Sequence, residues 1–214
     1  MPSVRDVSRQ RVPTSTLITG HALTYPQSLQ LGRECMLTLE RRPRADTALQ
    51  RVGVLADTHI PTKAPTLPPR VFEVFQNVTH ILHAGDLVSL DVIDALEQLA
   101  PVVAVRGNMD RRPVRDALPE LNTLTLDRWR IGVTHDPGTL IGYGALQALA
   151  DAHHLDVVVY GHTHRPSIHW DGNRLFLNPG SPTDPLPAFL VKPTVALLTV
   201  ARGTIEPEIV TLER

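Results

Sequence analysis

The chain has 214 residues, of which 42% are hydrophobic and 20% are charged, and its formal net charge is −1. These values are typical of a globular domain; they exclude a wholly disordered chain and an overall charge that attracts polyanions. The single cysteine, Cys35, excludes an internal disulfide framework and a cysteine-rich zinc site, which favours a reducing, cytoplasmic setting. No apolar run reaches the roughly 18–20 residues of a membrane span, and the start lacks a secretory-signal pattern.

The first 50 residues differ from the rest of the chain. They contain seven arginines against four acidic residues, and no helical or strand periodicity is sustained. Such a segment is typical of a flexible N-terminal extension, or of an upstream start codon whose true initiator is Met36. An Arg-rich, acid-poor transit peptide is the alternative. We therefore expect residues 51–214 to form the folded domain.

From residue 51 onwards, strands and helices alternate. Short apolar runs predict three strands, at 52–56, 79–83 and 101–105. Amphipathic patterns predict helices at 70–76 and 89–100, the second with Ser89 as its N-cap. This order of strand, loop and helix is typical of a parallel sheet with right-handed crossovers.

The pattern changes after residue 120. It predicts a hairpin formed by 121–127 and 130–134, a helix at 143–153 and a buried strand at 156–160. Two further hairpins follow, each with glycine in its turn: 167–170 with 174–178, and 194–201 with 204–212. The sequence therefore predicts an α/β fold in which two packed mixed β-sheets are flanked by helices.

Five of the predicted strands end in residues that can bind a metal. These are Asp57 with His59, Asp86, Asn108, His135, and His162 with His164. Ligands of open α/β sheets bind outside the carboxyl ends of the strands, and a buried Asp or Asn is costly unless a partner satisfies it. His135 alone is more simply a satisfied polar residue, and His83, three residues before Asp86, is interpreted as a packing or supporting histidine. The set as a whole indicates a metal site.

The number and type of donors favour more than one ion. Seven oxygen and nitrogen donors exceed the four ligands that zinc usually takes. They suit two adjacent ions, about 3.5–4 Å apart, that share a bridging carboxylate. Since the set contains no thiolate, Mn²⁺, Fe, Zn²⁺ or Ni²⁺ is favoured over a soft metal. We therefore expect two divalent ions per chain.

The order and strand context of these motifs resemble the calcineurin-like metallophosphoesterase superfamily. The motifs are Asp57-x-His59, Gly85-Asp86, Gly107-Asn108, His135 and Gly161-His162-x-His164. With Asn178-Pro179-Gly180-Ser181 following, the compact spacing is most similar to small single-domain bacterial and archaeal phosphodiesterases. The resemblance covers about residues 51–214 and implies a four-layer αββα sandwich.

The resemblance also implies a role for each matching residue. The first metal would be held by Asp57, His59 and His164, and the second by Asn108, His135 and His162. Asp86 would bridge the two metals, so that the catalytic residues are Asp86, Asn108 and His135. A hydroxide between the metals would attack phosphorus in line. The candidate substrate-binding residues are Arg106, Asn178 and Ser181.

One position departs from the family pattern. Many members follow Gly-Asn with a histidine that protonates the leaving oxygen, whereas this chain has Met109, and a thioether cannot be a general acid. The departure leaves the identity of any general acid open. The loop around Asn108 is also rich in arginine, which suggests either a grip on a substrate phosphate or a surface face paired with nearby acids. The arginines are Arg106, Arg111, Arg112 and Arg115, and the acids are Asp110, Asp116 and Glu120.

The sequence therefore predicts a cytoplasmic dinuclear-metal hydrolase of phosphoric esters, more specifically a phosphodiesterase with a small-molecule substrate. A phosphomonoesterase for nucleotides or small metabolites is the second enzyme reading. A protein-interaction scaffold, like the retromer subunit that keeps this fold, is the alternative from another class. After residue 50, 18 acidic residues face 14 basic ones, which disfavours tight nucleic-acid binding. No pattern indicates the oligomeric state.

Overall fold

The computed structural model describes residues 49–136, 138 and 142–212. The predictions for the N-terminal extension, including Met36 and Cys35, lie outside the described residues, so the extension stays a prediction. Within the described part, the helices are α1 (Pro69–Val74), α2 (Asp91–Glu97), α3 (Arg112–Ala117) and α4 (Gly144–His153). None of these helices is long and apolar enough to cross a membrane.

Ten strands of the described part form two five-stranded sheets. Their bounds are β1 (Gln50–Leu55), β2 (His80–Ala84), β3 (Val102–Val105), β4 (Leu121–Leu126), β5 (Trp129–Thr134), β6 (Val157–Val159), β7 (Pro166–Asp171), β8 (Arg174–Pro179), β9 (Thr194–Ala201) and β10 (Thr204–Thr211). The first sheet has the order β10-β9-β1-β2-β3 and the second β4-β5-β6-β8-β7. In the first sheet β1, β2 and β3 are parallel, and in the second β5, β6 and β8 are parallel. Each sheet therefore presents three parallel strand ends on one edge.

The main core lies between the two sheets. Val54 of β1, Val133 of β5 and Val159 of β6 are fully buried there, as expected for central strands that are covered on both faces. On the outer face of the first sheet, α1, α2 and α3 contribute buried residues such as Leu96. On the outer face of the second sheet, α4 contributes Leu146. The predicted four-layer αββα architecture is confirmed.

Two local details differ from the predictions. The helix predicted at 89–100 covers only Asp91–Glu97, and Leu90 rather than Ser89 is its N-cap. The Ser89 hydroxyl is instead engaged by Asp91, accepting from the backbone N–H at 3.3 Å and donating to Oδ2 at 3.0 Å. Helix α3 was not predicted, because its six residues bury only Val114 and so show no apolar period.

Candidate metal centre

All of the candidate metal ligands follow the carboxyl ends of parallel strands. Two follow β1, one each follows β2, β3 and β5, and two follow β6: Asp57, His59, Asp86, Asn108, His135, His162 and His164. Backbone bonds join these ends, since Asp57 N donates to Gly85 O at 3.0 Å and Gly161 N donates to His135 O at 3.1 Å. The His162 N–H crosses between the sheets to the Asp57 carboxylate at 3.0 Å. The fold therefore gathers the seven side chains at one edge.

Most of these residues have a left-handed backbone. The φ angles are 53° for Asp57, 47° for His59, 58° for Asp86, 69° for His162 and 56° for His164. Non-glycine residues seldom adopt such angles, and each costs on the order of 1 kcal/mol. Strain of this kind persists only where the surrounding structure enforces it, and it clusters at binding and active sites. Here it accompanies the turns that direct five ligands to one point.

Glycines next to the ligands permit the close approach of neighbouring loops. A Cβ atom on Gly107 would lie 2.1 Å from Asp86 Oδ1 and 2.5 Å from the Asp86 backbone nitrogen. A Cβ on Gly161 would lie 2.6 Å from the carbonyl oxygen of Ala84. Neither position has room for a side chain, which explains why glycine precedes Asn108 and His162.

The first group of ligands is Asp57, His59 and His164. His59 Nε2 lies 3.2 Å from His164 Nε2, which lies 3.4 Å from Asp57 Oδ1. All three residues are buried. Donors bound at about 2.0–2.2 Å to one tetrahedral ion are about 3.3–3.6 Å apart. The spacing therefore fits a single divalent ion.

The second group surrounds His135. Its Nε2 lies 3.3 Å from Asp86 Oδ2 and 2.9 Å from Asn108 Oδ1, and Asn108 Oδ1 lies 3.1 Å from His162 Nδ1. Asp86 Oδ2 is also 3.8 Å from His59 Nε2, so this carboxylate faces both groups. Asp57 Oδ1 approaches the second group as well, at 4.0 Å from His135 Nδ1. Both carboxylates thus lie between the two sets of donors.

Backbone carbonyls orient two of the imidazole rings. His135 Nδ1 donates to the carbonyl oxygen of Ala84 at 2.8 Å, and His164 Nδ1 donates to that of Asp184 at 2.5 Å. A proton held at Nδ1 leaves the Nε2 lone pair directed at the centre, which is the arrangement found for metal-binding histidines. The chain therefore sets the tautomer that a metal needs.

The buried carboxylates have no lysine or arginine partner. Among the described residues, only histidines lie within ion-pair distance of Asp57 and Asp86. Burial raises the pKa of Asp57 to about 8. Burial also acts to raise the pKa of Asp86, but the hydrogen bond and charge of His135 outweigh it and hold that pKa below its usual value. Buried acids with no permanent cation beside them fit a site for divalent metals.

The surroundings shift the pKa values of the ligand histidines in opposite directions. Burial acts to lower the pKa of His135, but its hydrogen bond to Asp86 and the charge of Asp57 raise it to about 9. Burial lowers the pKa of His59 and of His164, so their rings favour the neutral form that binds metal. The pKa values of Asp57 and His135 are therefore both raised, and those of His59 and His164 are both lowered.

Two of the residues predicted to bind substrate have a structural role. Asn178 is fully buried, and its Nδ2 donates to Gly161 O at 2.8 Å while its Oδ1 accepts from Gly180 N at 2.9 Å. Ser181 is also fully buried, and its hydroxyl donates to Asp57 O at 2.7 Å. Their burial weighs against substrate contact, which stays a prediction for both. They hold the loops that carry the metal ligands.

Two of the four arginines near Asn108 form ion pairs with surface acids. Arg106 lies 2.6 Å from Glu120 and Arg112 lies 3.4 Å from Asp116, as the alternative of a paired surface face predicted. Asp110 takes no part in that face; its buried carboxylate accepts from Val88 N at 2.6 Å and Gly107 N at 2.7 Å. Arg106 is therefore occupied by an acid, which weighs against its predicted role in substrate binding.

Two further residues support the turn that carries Asp57 and His59. The sequence indicated a supporting role for His83 but none for Thr183. The Thr183 hydroxyl donates to Thr58 O at 2.7 Å, from a loop more than a hundred residues later in the chain. His83 is fully buried, with its Nε2 3.1 Å from Thr58 Oγ1, and burial lowers the pKa of His83 to about 3. Both residues brace the turn between Asp57 and His59. Only the tertiary structure brings Thr183 there.

Five of the seven ligands line a cavity of about 390 Å³. Besides ligands from both groups, its lining includes Lys63, Met109, Arg111 and Asp184. Met109 is 60% exposed, so the position of the usual acid carries a thioether that faces solvent. A cavity of this size suits a small-molecule substrate.

Comparisons with known proteins agree with this geometry. The model of the calcineurin-like phosphoesterase superfamily domain matches residues 51–203. A probable metallophosphoesterase of Methanothermobacter thermautotrophicus is 40% identical over 162 residues, which cover 74% of this chain and 91% of that protein.

Solved structures with a similar fold include a phosphodiesterase and a Vps29 protein. An archaeal phosphodiesterase matches with a TM-score of 0.58 and 26% identity, over 75% of this chain and 100% of the other. Vps29 of Entamoeba histolytica in complex with Zn²⁺ matches with a TM-score of 0.60 and 25% identity, over 76% and 99%. From the family match and the archaeal relative, the chain belongs to the calcineurin-like phosphoesterase superfamily, in its small archaeal and bacterial branch.

Proposed function

We propose that this protein is a divalent-metal-dependent phosphodiesterase with a small-molecule substrate. The observation that carries the proposal is the convergence of seven oxygen- and nitrogen-donor residues, with neighbouring donor atoms 2.9–3.4 Å apart. Five of these residues line one open cavity. The archaeal relatives support phosphoester chemistry. The likeness to an archaeal phosphodiesterase supports the narrower choice of diesters.

In this proposal each group of donors holds one divalent ion. One ion would be bound by Asp57, His59 and His164, the other by Asn108, His135 and His162, with Asp86 shared. Mn²⁺, Ni²⁺, Zn²⁺ and Fe all suit these donors. Such ions polarise a phosphoryl oxygen and lower the pKa of water to make a nucleophile available near neutral pH.

The chain's own residues set the conditions for that chemistry. The carbonyl oxygens of Ala84 and Asp184 keep the proton of His135 and His164 on Nδ1. Asp136 Oδ2 lies 3.4 Å from His162 Nε2 and orients that ring at the cavity edge. Met109 supplies no proton to a leaving oxygen. We therefore expect esters of acidic alcohols, such as phenols, to be cleaved faster than alkyl esters.

The alternative function is a protein-interaction scaffold. The structural likeness to Vps29 favours it, as do the apolar side chains of Phe189 and Leu190, which are 85% and 75% exposed. The complete set of metal-binding residues favours the enzyme. A cytoplasmic location and weak affinity for nucleic acid stay predictions.

The test is an assay of metal-stripped protein on a chromogenic phosphodiester and on the matching monoester. Mn²⁺, Ni²⁺, Zn²⁺ or Mg²⁺ is restored in turn, and bound metal is counted by mass spectrometry. We expect metal-dependent cleavage of the diester that Asn108→Ala and His135→Ala both abolish. His80→Gln is the matched control, because His80 lies at the start of β2, at the opposite end of that strand from Asp86.

Three other outcomes decide against the proposal. Cleavage of the monoester alone would support the phosphomonoesterase. Turnover that survives both variants would show that the reaction occurs elsewhere. Two bound ions per chain without turnover of either ester would favour the scaffold.

A further inference from the structure

Arg111 shares a cavity with the candidate metal ligands. The cavity of about 390 Å³ is lined by His59, Asp86, Asn108, His162 and His164, and Arg111 is the one arginine among its described lining residues. The other three arginines of this loop line a neighbouring cavity of about 990 Å³, in which two of the ligands, Asn108 and His135, also take part: Arg106, Arg112 and Arg115. The fold therefore places Arg111 in a cavity with five of the seven ligands and the other three arginines in a cavity with two.

The cations near the centre also differ in their partners. Lys63 Nζ lies 3.1 Å from Asp184 Oδ2, and Arg106 and Arg112 are paired with Glu120 and Asp116. Within residues 49–136 and 142–212, no acidic side chain forms an ion pair with Arg111 or with Arg115, and of these two only Arg111 lines the cavity of about 390 Å³. The Arg111 guanidinium is therefore free to bind an anion that enters the cavity.

The backbone that carries Arg111 is held in place. Met109 N donates to Asp86 Oδ1 at 2.7 Å, which ties the loop to the carboxylate shared by both groups of ligands. Asp110 accepts from Val88 N and Gly107 N, and Arg111 O accepts from Arg115 N at 3.0 Å. Because the loop is already ordered, little backbone entropy is lost when a ligand binds.

We infer that Arg111 binds the phosphoryl group of the substrate, with its guanidinium donating to the non-bridging oxygens. A guanidinium fork matches two such oxygens and stays charged at any working pH. The inference rests on the proposed function, because it assumes that the cavity takes a phosphoryl group. It assigns to Arg111 the role that the sequence suggested for Arg106.

The test measures the binding of inorganic phosphate to Mn²⁺-loaded protein by isothermal titration calorimetry. We expect Arg111→Ala to weaken binding roughly 10- to 100-fold, the usual value of a charge-assisted hydrogen-bonded pair. Arg111→Lys should retain part of the affinity, because it keeps the charge and loses the fork. Arg112→Ala is the matched control, as an adjacent exposed arginine whose ion pair is worth little, and it should stay within about twofold of the unmodified protein.

Two results would overturn the inference. One is equal phosphate affinity in Arg111→Ala and Arg112→Ala. The other is a loss of bound Mn²⁺ or of thermal stability in Arg111→Ala that Arg111→Lys restores no better than Arg111→Met, which would indicate a structural role. Phosphate binding requires no turnover, so an inactive protein that binds phosphate through Arg111 contradicts the proposed function and leaves this inference standing.

Discussion

The two groups of metal ligands differ in their exposure to solvent. In the first group, Asp57 is fully buried, and His59 and His164 are buried as well. In the second group, His135 is buried, but Asn108 is exposed and the His162 side chain is 24% exposed. The first group is braced from behind by Ser181 and Thr183, whereas the second contains the two most exposed ligands. We therefore expect the first group to bind its ion more tightly and the second to exchange ion and substrate.

The largest effect should come from the carboxylate shared by the two groups. Asp86→Ala removes a donor from both ions, so we expect the loss of both and a fall in kcat/KM of at least about 10³-fold. Bound metal after gel filtration and steady-state kinetics measure the two effects. Asp91→Ala, an exposed carboxylate on α2, is the control. Full occupancy in Asp86→Ala would show that Asp57 alone joins the groups.

Single histidine variants should separate the two groups. His164→Ala should lose the tighter ion, whereas His162→Ala should keep that ion and weaken only the other, by about 10- to 100-fold. Titration of metal-stripped protein with Mn²⁺ gives the two dissociation constants. If His162→Ala loses the tighter ion, solvent exposure does not determine which group binds its ion more tightly, and the expected order of affinities is wrong.

The burial of Asp57 predicts a pH-dependent stability for the metal-free protein. Its pKa is raised from 3.8 to about 8 in the folded state, so its contribution is complete below the unfolded value and is lost as the pH rises through the folded one. From pH 5 to pH 7, this group alone should destabilise the protein by about 2–3 kcal/mol.

Urea denaturation in the presence of a chelator tests that contribution against Asp57→Asn. The variant should lose less stability than the unmodified protein over the same pH interval, because its amide does not titrate. Asp91→Asn should behave like the unmodified protein. Parallel pH profiles for all three proteins would show that Asp57 ionises without cost.

The smallest effect should come from Ser181. Ser181→Ala removes the hydrogen bond to Asp57 O, so we expect a loss of about 1 kcal/mol in stability and a modest decrease in metal affinity. KM should stay unchanged at saturating metal, because Ser181 is fully buried. A rise in KM under those conditions would support the assignment of Ser181 to substrate binding. Ser89→Ala, on a surface turn, is the control.

Local sequence patterns predicted the strands and the ligands at their ends, because both depend on residues that are close together in the chain. The apolar runs gave the ten strands, and the polar residues at their ends, such as Asp86 and His135, were expected at one edge because parallel strands end together. The pairing of Asn178 with Gly161 and of Thr183 with Thr58 joins segments far apart in sequence, and no period records it. For the same reason, the sequence left four arginines equivalent, although Arg111 shares a cavity with five of the ligands and the other three share one with only two.

Gly107 lies so close to Asp86 that even an alanine would not fit at this position. A methyl group there would lie 2.1 Å from the Asp86 carboxylate and 2.5 Å from its backbone nitrogen, so the loop or the carboxylate must move. Gly107 lies in the loop between β3 and α3, so we expect the substitution to displace the ligand loops and to leave the sheets in place. One alanine at this position should therefore disturb the metal ligands while the fold persists, so the fold and the ligand geometry can be lost independently.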